Sequence, residues 1–296
     1  MSETVKATLS PGLIYEYHDV DFRGSIERVT YTTTNPQGEP RKKYANVYLP
    51  YGYNPEDKET KYNILYVIHG GGGNPDAWLD CCKVKNMLDY CFHAGMAKPF
   101  IAVFPSYYKE KIARTSYNAE AERDKVWDFM PELTNELLPA VEGKYNGYAA
   151  GTSPEALQAA RAHRGIGGFS MGSCTTWVTF LSHLPYFRTF VPLSGDCWEF
   201  GIKGGSLYAE KTVEHLCEVA AQSGLDFNIY SATGTEDPAC ESLVPQIEEM
   251  KRHPEVFTFS EEGDTGNLHF YLAEGQVHAY EAVYNYLYTF LPYLFS

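Results

Sequence analysis

The 296-residue sequence lacks the excess of positive charge that binding to nucleic acids or to anionic membranes requires. It contains 24 Lys and Arg residues against 38 Asp and Glu residues, which gives a formal net charge of −14. A basic patch large enough to attract a polyanion is therefore not expected. We predict neither a nucleic-acid partner nor a membrane partner.

Long apolar runs are also missing. No stretch approaches the roughly 20 apolar residues that a membrane-spanning helix needs. The first ten residues contain no apolar segment of the kind that forms the centre of a signal peptide, so no signal peptide is expected in this chain. The residues alone leave both an extracellular and a cytoplasmic location open.

The sequence has no pattern typical of a metal or cofactor site. Its seven cysteines are an odd number without a C-x-x-C pair, and there is no H-E-x-x-H motif. A phosphate-binding role for the loop Gly70–Gly73 is excluded because no G-K-[ST] follows it and because Asn74 and Pro75 occupy the place of the third fingerprint glycine. We predict no metal and no cofactor.

Apolar runs alternate with amphipathic segments along most of the chain. Ile64–Ile68 is apolar throughout, as expected for a strand that is buried on both faces. Two tyrosine-rich or β-branched runs at 26–34 and 43–49 flank turn residues, which predicts an antiparallel hairpin. The pattern indicates an α/β fold with a mostly parallel central sheet, an N-terminal antiparallel hairpin and helices on both faces.

We predict one domain over residues 1–296, with residues 1–24 as an irregular N-terminal arm. A chain of this length can bury one large core, and neither an internal repeat nor a linker composition interrupts it. Helical spacing is strongest in five segments, and two further segments are expected to be loops. The helices are predicted at 77–94, 126–145, 213–221, 243–252 and from 280 onward, and the loops at 105–119 and 194–207.

Ser170 is the candidate nucleophile. It is the centre of Gly168-x-Ser170-x-Gly172, which follows an apolar run and precedes a segment with a helical apolar face. A serine at the tip of so tight a turn is strained, and the residues two before and two after it must lack side chains. The N–H of Met171 then lies at the start of a helix, where developing negative charge is favoured.

Residues that could complete a catalytic triad follow in the chain order Ser, Asp, His, which is that of α/β-hydrolases. His278 follows a predicted strand and precedes the last helix, so it is the candidate base. Asp237 follows the penultimate strand and is the candidate acid, with Glu236 and Asp196 as alternatives. Each lies past the carboxyl end of a predicted strand, where open α/β sheets place their sites.

The glycine loop supplies candidate donors for an oxyanion. Glycines allow a backbone N–H to approach a substrate closely, so Gly71 and Met171 are the predicted N–H donors to the developing charge. His69 precedes this loop, and we interpret it as a residue that braces the loop and takes no part in proton transfer.

An ordered series of motifs from about Tyr44 to Leu294 resembles the feruloyl and acetyl-xylan esterases of carbohydrate esterase family one. The strongest likeness is to the feruloyl esterase modules of xylanolytic systems. The motifs are Val47-Tyr-Leu-Pro-x-Gly-Tyr53, Leu65-Tyr-x-x-His-Gly-x-Gly-Gly73, Gly168-x-Ser-Met-Gly172, Gly234-Thr-x-Asp237 and Gly275-x-x-His278.

This resemblance implies an α/β-hydrolase that releases hydroxycinnamate from feruloylated xylan oligosaccharides or small phenolic esters, outside cells. It also implies Ser170, His278 and Asp237 as nucleophile, base and acid, with Gly71 and Met171 as oxyanion donors. A further set of residues is predicted to contact the substrate. These are Trp198, Gly72, Tyr107 and Tyr108, with Tyr117 in the same loop as the last two.

Two other functions remain open from the sequence. The same chemistry could act on acetyl-xylan or on a small acyl ester or thioester, as in S-formylglutathione hydrolases. A catalytically silent hydrolase fold that only binds a ligand is the alternative from another class, although the apparently complete Ser, Asp and His set disfavours it.

Overall fold

The computed structural model describes residues 21–34, 38–108 and 118–295. Within these residues, eight strands form a single sheet. The strands are β1 (Ser25–Thr34), β2 (Pro40–Leu49), β3 (Ile64–Ile68), β4 (Ile101–Phe104), β5 (Arg164–Phe169), β6 (Thr189–Leu193), β7 (Asn228–Gly234) and β8 (Leu268–Ala273).

The strand order across the sheet is β1-β2-β4-β3-β5-β6-β7-β8. β1 pairs antiparallel with β2, and β2 pairs antiparallel with β4. Every other pair is parallel, from β4 with β3 through to β7 with β8. The predicted mostly parallel sheet and its N-terminal hairpin are confirmed, although turn residues 35–37 lie outside the described part of the chain.

Ten α-helices are found among the described residues. They are α1 (Ala77–Cys82), α2 (Val84–His93), α3 (Ala119–Glu132), α4 (Leu138–Glu142), α5 (Pro154–Ala159), α6 (Met171–His183), α7 (Gly204–Leu207), α8 (Ala209–Ser223), α9 (Cys240–Met250) and α10 (Tyr280–Phe290). None of these helices combines the length and the apolar character that crossing a bilayer requires.

The sheet is covered on both faces, which explains why β3 is apolar at every position. Side chains alternate between the faces of a strand. Tyr66 therefore packs into the core that contains α3, α6 and α8, whereas Leu65 and Val67 pack into the core that contains α2 and α10. All five residues of β3 are buried. A polar residue at any of these positions would lose its hydration on one face or the other.

Three predicted segments differ from the structure. The single helix expected over 77–94 is two helices, because Lys83 adopts a left-handed conformation (φ 51°) that ends α1 before α2 begins. The segment expected as a loop at 194–207 contains the short helix α7. The helix expected at 126–145 begins earlier, where the Asn118 side chain accepts hydrogen bonds from two N–H groups of the first turn of α3.

The predicted helix over 126–145 also changes its hydrogen-bond register before it ends. Residues 133–137 form a π-helical turn, in which the N–H of Leu138 donates to the carbonyl of Leu133. Pro139 follows directly and has no N–H to donate.

The predicted N-terminal arm, residues 1–24, falls mostly outside the described residues. Its last part, residues 21–24, contains neither helix nor strand.

Candidate active site

Ser170 lies at the tip of the turn between β5 and α6, in a conformation that L-residues rarely adopt (φ 57°, ψ −116°). The glycines on either side are required by close backbone contacts. A Cβ at Gly168 would lie 2.4 Å from the carbonyl oxygen of Ile68, and one at Gly172 would lie 2.2 Å from the same oxygen. The turn therefore packs directly against the end of β3 and presents Ser170 at the sheet edge.

Replacing Gly168 with alanine should destabilise the protein by about 3 kcal/mol or more, because the new methyl group would overlap rigid backbone atoms. The measurement is the free energy of unfolding in urea. Gly151→Ala is the matched control, since a Cβ there would meet only the Ala156 methyl group at 3.9 Å. Equal stability of the two variants would contradict the close packing of the turn.

The structure brings together the three side chains that the sequence placed at separate strand ends. The Nε2 atom of His278 lies 2.9 Å from the hydroxyl oxygen of Ser170, and its Nδ1 atom lies 2.8 Å from Oδ1 of Asp237. A carboxylate can only accept, so Nδ1 carries the proton and donates it to Asp237. This leaves the Nε2 lone pair facing the Ser170 hydroxyl, which is the arrangement that a general base needs.

Burial and hydrogen bonding act in opposite directions on Asp237. Its side chain is inaccessible to solvent, and burial raises the pKa of its carboxyl group. The hydrogen bond and charge of His278, together with the N–H of Ala239, outweigh that effect and leave the pKa of Asp237 below its ordinary value. Asp237 is therefore ionised at neutral pH and can stabilise a positive charge on His278.

The two alternative carboxylates are placed elsewhere. Asp196 accepts hydrogen bonds from the N–H of Gly205 and the hydroxyl of Ser242, and burial raises its pKa despite these bonds. Glu236 is exposed to solvent. Neither carboxylate hydrogen-bonds to His278, and the imidazole is bonded to Asp237 instead. Asp196 therefore ties the loop after β6 to helices α7 and α9.

The glycine loop after β3 forms a tight turn beside the nucleophile. The N–H of Gly73 donates to the carbonyl of Gly70 (3.0 Å), and Gly72 has a positive φ of 72°. A Cβ at Gly70 would lie 3.3 Å from Cβ of Ser170. The N–H of Gly70 donates to the Tyr280 hydroxyl (3.3 Å) and that of Gly72 to the Tyr108 hydroxyl (3.0 Å).

Gly71 is the remaining glycine of this loop. Its N–H makes no hydrogen bond to any residue that the structure describes. The N–H groups of the other three glycines are engaged in bonds that hold the turn. Gly71 is thus the residue of the loop whose backbone donor is available to a substrate oxygen, and Met171 begins the helix on the other side of Ser170.

His69 is buried and braces the loop. Its Nδ1 atom lies 2.7 Å from the carbonyl oxygen of Gly70, and its Nε2 atom lies 2.8 Å from the hydroxyl oxygen of Ser106. The carbonyl requires a proton on Nδ1, so Nε2 accepts from Ser106. Burial lowers the pKa of His69 to about 4. The imidazole is therefore neutral at physiological pH and holds the Gly70 carbonyl in place.

A cleft of about 510 Å³ opens at this edge of the sheet. It is lined by the glycine loop and α1, together with Phe169, Ser170 and His278. The lining residues of α1 are Ala77, Asp80 and Cys81, and Asn74, Ala279 and Tyr280 complete the lining. The volume falls within the range of about 300–1,000 Å³ that is typical of small-molecule sites.

The predicted substrate contacts are distributed differently. Gly72 lines the cleft, whereas Trp198, Tyr107 and Tyr108 are buried and do not line it. Tyr107 donates to the carbonyl of His69 (3.2 Å). The hydroxyls of both tyrosines are directed to the glycine loop and the residue before it because buried phenols need hydrogen-bond partners. Tyr117 lies outside the described residues.

Two aromatic residues of the cleft were not predicted as site residues. The ring of Phe169 lies 4.6 Å from the imidazole of His278 and 4.9 Å from the ring of Tyr280, measured between centroids. Tyr280 also holds Gly70. Phe169 directly precedes Ser170, and Tyr280 lies two residues after His278. This closeness to catalytic candidates was the available signal in the sequence, because no motif marks either residue.

In the described ranges, no group of three or more His, Cys, Asp or Glu side chains is arranged to hold a metal ion.

The chain is similar to known proteins in both sequence and structure. Residues 39–290 match the family described as "Putative esterase". The chain is 37% identical over 276 residues to endo-1,4-beta-xylanase Y of Acetivibrio thermocellus, covering 92% of this chain and 23% of that protein. The chain thus spans about a quarter of the length of this curated relative.

Two solved structures are similar over nearly the whole chain. A structure of FAE is 35% identical, with a TM-score of 0.83, and covers 99% of this chain and 94% of its own. A serine-to-alanine mutant of the feruloyl esterase module from Clostridium thermocellum, complexed with sinapinate, is 34% identical, with a TM-score of 0.79 and the same coverage.

Proposed function

The chain belongs to the esterase family, and we propose that it is a serine carboxylesterase that hydrolyses feruloyl and related hydroxycinnamoyl esters of plant cell-wall arabinoxylan. The observation that carries the chemistry is the continuous hydrogen-bonded series from Asp237 through His278 to Ser170, with distances of 2.8 and 2.9 Å. The likeness to a feruloyl esterase module supports the acyl group.

In the proposed reaction, the Ser170 hydroxyl oxygen attacks the ester carbonyl carbon while Nε2 of His278 takes its proton. The carbonyl oxygen becomes negatively charged and accepts hydrogen bonds from the N–H groups of Gly71 and Met171. The tetrahedral intermediate collapses, and His278 returns the proton to the departing sugar oxygen. Water then hydrolyses the acyl-serine by the same steps and releases hydroxycinnamate.

The cleft favours an aromatic acyl group over acetate. It is lined by Phe169 and Tyr280 beside the nucleophile, and its volume of about 510 Å³ would remain largely empty around an acetyl group. Flat rings gain contact area and edge-to-face interactions in such surroundings.

A xylan-linked substrate is a polymer that does not enter cells, so we propose that the enzyme acts outside them. The single-domain organisation over 1–296 stays a prediction.

A panel of five substrates tests this function. The values of kcat/KM should be highest for feruloylated arabino-oligosaccharide and methyl ferulate, and lower for p-nitrophenyl acetate, acetylated xylan and S-formylglutathione. Faster hydrolysis of S-formylglutathione or of acetylated xylan would assign the chain to one of those substrates instead. If no ester is hydrolysed and a fluorophosphonate probe fails to label Ser170, a ligand-binding role replaces catalysis.

A further inference from the structure

The Tyr108 hydroxyl contacts three separate parts of the site, although Tyr108 does not line the cleft. Its oxygen accepts from the N–H of Gly72 (3.0 Å), donates to Oε2 of Glu122 (2.5 Å) and lies 3.6 Å from the sulfur of Met171. We propose that Tyr108 is a positioning residue for the oxyanion site, held in its role by Glu122 on α3.

The number of hydrogens on the phenol determines the direction of these bonds. A tyrosine hydroxyl has one hydrogen, and a carboxylate can only accept. The Tyr108 hydroxyl therefore donates its one hydrogen to Glu122, and the distance of 2.5 Å is that of a charge-assisted hydrogen bond. The oxygen is left to accept from Gly72, and the pull of the carboxylate makes it a stronger acceptor.

The glycine turn needs such an acceptor because its own residues do not restrain it. The Gly73 to Gly70 bond and the positive φ of Gly72 are those of a type II turn, with the Gly71–Gly72 peptide at its centre. Glycines readily adopt alternative conformations, so this central peptide is free to rotate unless its N–H is held. The Tyr108 hydroxyl holds it.

The restraint reaches Gly71 through the turn. The Gly70 carbonyl and the Gly71 N–H belong to one planar trans peptide and point in opposite directions. The Gly73 N–H and the His69 Nδ1 atom hold that carbonyl, and the first of these bonds exists only while the turn keeps its shape. An oxyanion donor is effective when it is already aimed before the reaction starts. Loss of the Tyr108 hydroxyl should therefore make the orientation of the Gly71 N–H less well defined.

Glu122 is buried and fixed in place, so it can hold the Tyr108 hydroxyl in one position. Its side chain is 1% exposed, and Nζ of Lys125 lies 2.6 Å from its Oε1. The ammonium group offsets the hydration that this buried side chain has lost. The same helix carries a second arrangement of this kind away from the site. There Tyr31 donates to Glu132 (2.6 Å), and Glu132 pairs with Lys43 (2.6 Å).

The test compares Tyr108→Phe with Tyr31→Phe, since both remove a buried hydroxyl bonded to a glutamate of α3. Tyr108→Phe should lower kcat for p-nitrophenyl acetate by about tenfold or more, with KM little changed, because an oxyanion donor acts on the transition state. Binding of styrylboronic acid, which forms a tetrahedral adduct with the serine, should weaken by a similar factor. Binding of ferulate, the product, should not change. Tyr31→Phe should alter none of these values.

Glu122→Gln and Glu122→Ala form a second pair in case Tyr108→Phe folds poorly. Glutamine still offers an oxygen to Tyr108, so it should retain more kcat than alanine. Unchanged kcat in both folded Tyr108→Phe and Glu122→Ala, or an equal loss of boronic acid and ferulate binding, would overturn the proposal. The inference rests on the proposed ester hydrolysis but not on its acyl group. A wild-type enzyme that cleaves p-nitrophenyl acetate but not methyl ferulate would overturn the proposed substrate and leave this comparison intact.

Discussion

Ser170→Ala should lower kcat for methyl ferulate by about 10⁶-fold, the loss typical when a serine hydrolase is deprived of its nucleophile. Without the hydroxyl, no acyl-serine can form, and the remaining backbone donors can only assist direct attack by water. Release of ferulate, separated by chromatography, gives the rate, and labelling by a fluorophosphonate probe should disappear in parallel. The fold should be retained, because alanine is smaller than serine and only the hydroxyl is lost.

Ser182→Ala is the control for this substitution. Ser182 lies on the same helix α6, and its hydroxyl donates to the carbonyl of Val178 one turn earlier. Its loss should leave both hydrolysis and probe labelling at the wild-type level. Retained ferulate release by Ser170→Ala at the wild-type rate would show that another residue carries the acyl group.

Asp237→Asn should lower kcat by about 10⁴-fold while the protein remains folded, as expected when the residue that orients a catalytic imidazole loses its charge. An asparagine amide can donate to Nδ1 of His278, which would move the imidazole proton to Nε2. The ring would then present a proton, and no lone pair, to the Ser170 hydroxyl. The pH profile of kcat, measured with the melting temperature, separates this effect from unfolding.

Asp196→Asn and Glu236→Gln distinguish the three carboxylates that the sequence left open. Glu236→Gln should behave as wild type, because Glu236 is exposed. Asp196→Asn should lower the melting temperature and leave kcat little changed, because the Asp196 carboxylate accepts hydrogen bonds from Gly205 and Ser242. A loss of kcat at Asp196 or Glu236 that exceeds the loss at Asp237 would reassign the acid.

Local sequence was informative wherever a residue type is demanded by backbone geometry. The turn at Ser170 was predicted from its two flanking glycines, and the structure shows why no side chain fits there. β3 was predicted from an apolar run because both of its faces are covered. The positions of Asp237 and His278 followed from a general property of parallel sheets, whose carboxyl ends lie along one edge.

Other features depended on contacts between distant parts of the chain. The break at Lys83 has no glycine or proline to signal it, and the left-handed conformation appears only in the folded chain. Tyr107 and Tyr108 were predicted from the sequence as aromatic contacts to a phenolic acyl group. In the structure, the hydroxyl of Tyr107 donates to the carbonyl of His69, and that of Tyr108 accepts from the N–H of Gly72.

The sequence by itself determined the alternation of strands with helices, the nucleophile turn and the family resemblance, because these depend on residues that are neighbours along the chain. Only the tertiary structure decided which carboxylate reaches His278, which glycine N–H remains available and what Tyr108 does. These outcomes depend on distances between residues that are 14 to 210 positions apart. Hydrogen bonds form or fail over a few tenths of an ångström, and no local pattern encodes such distances.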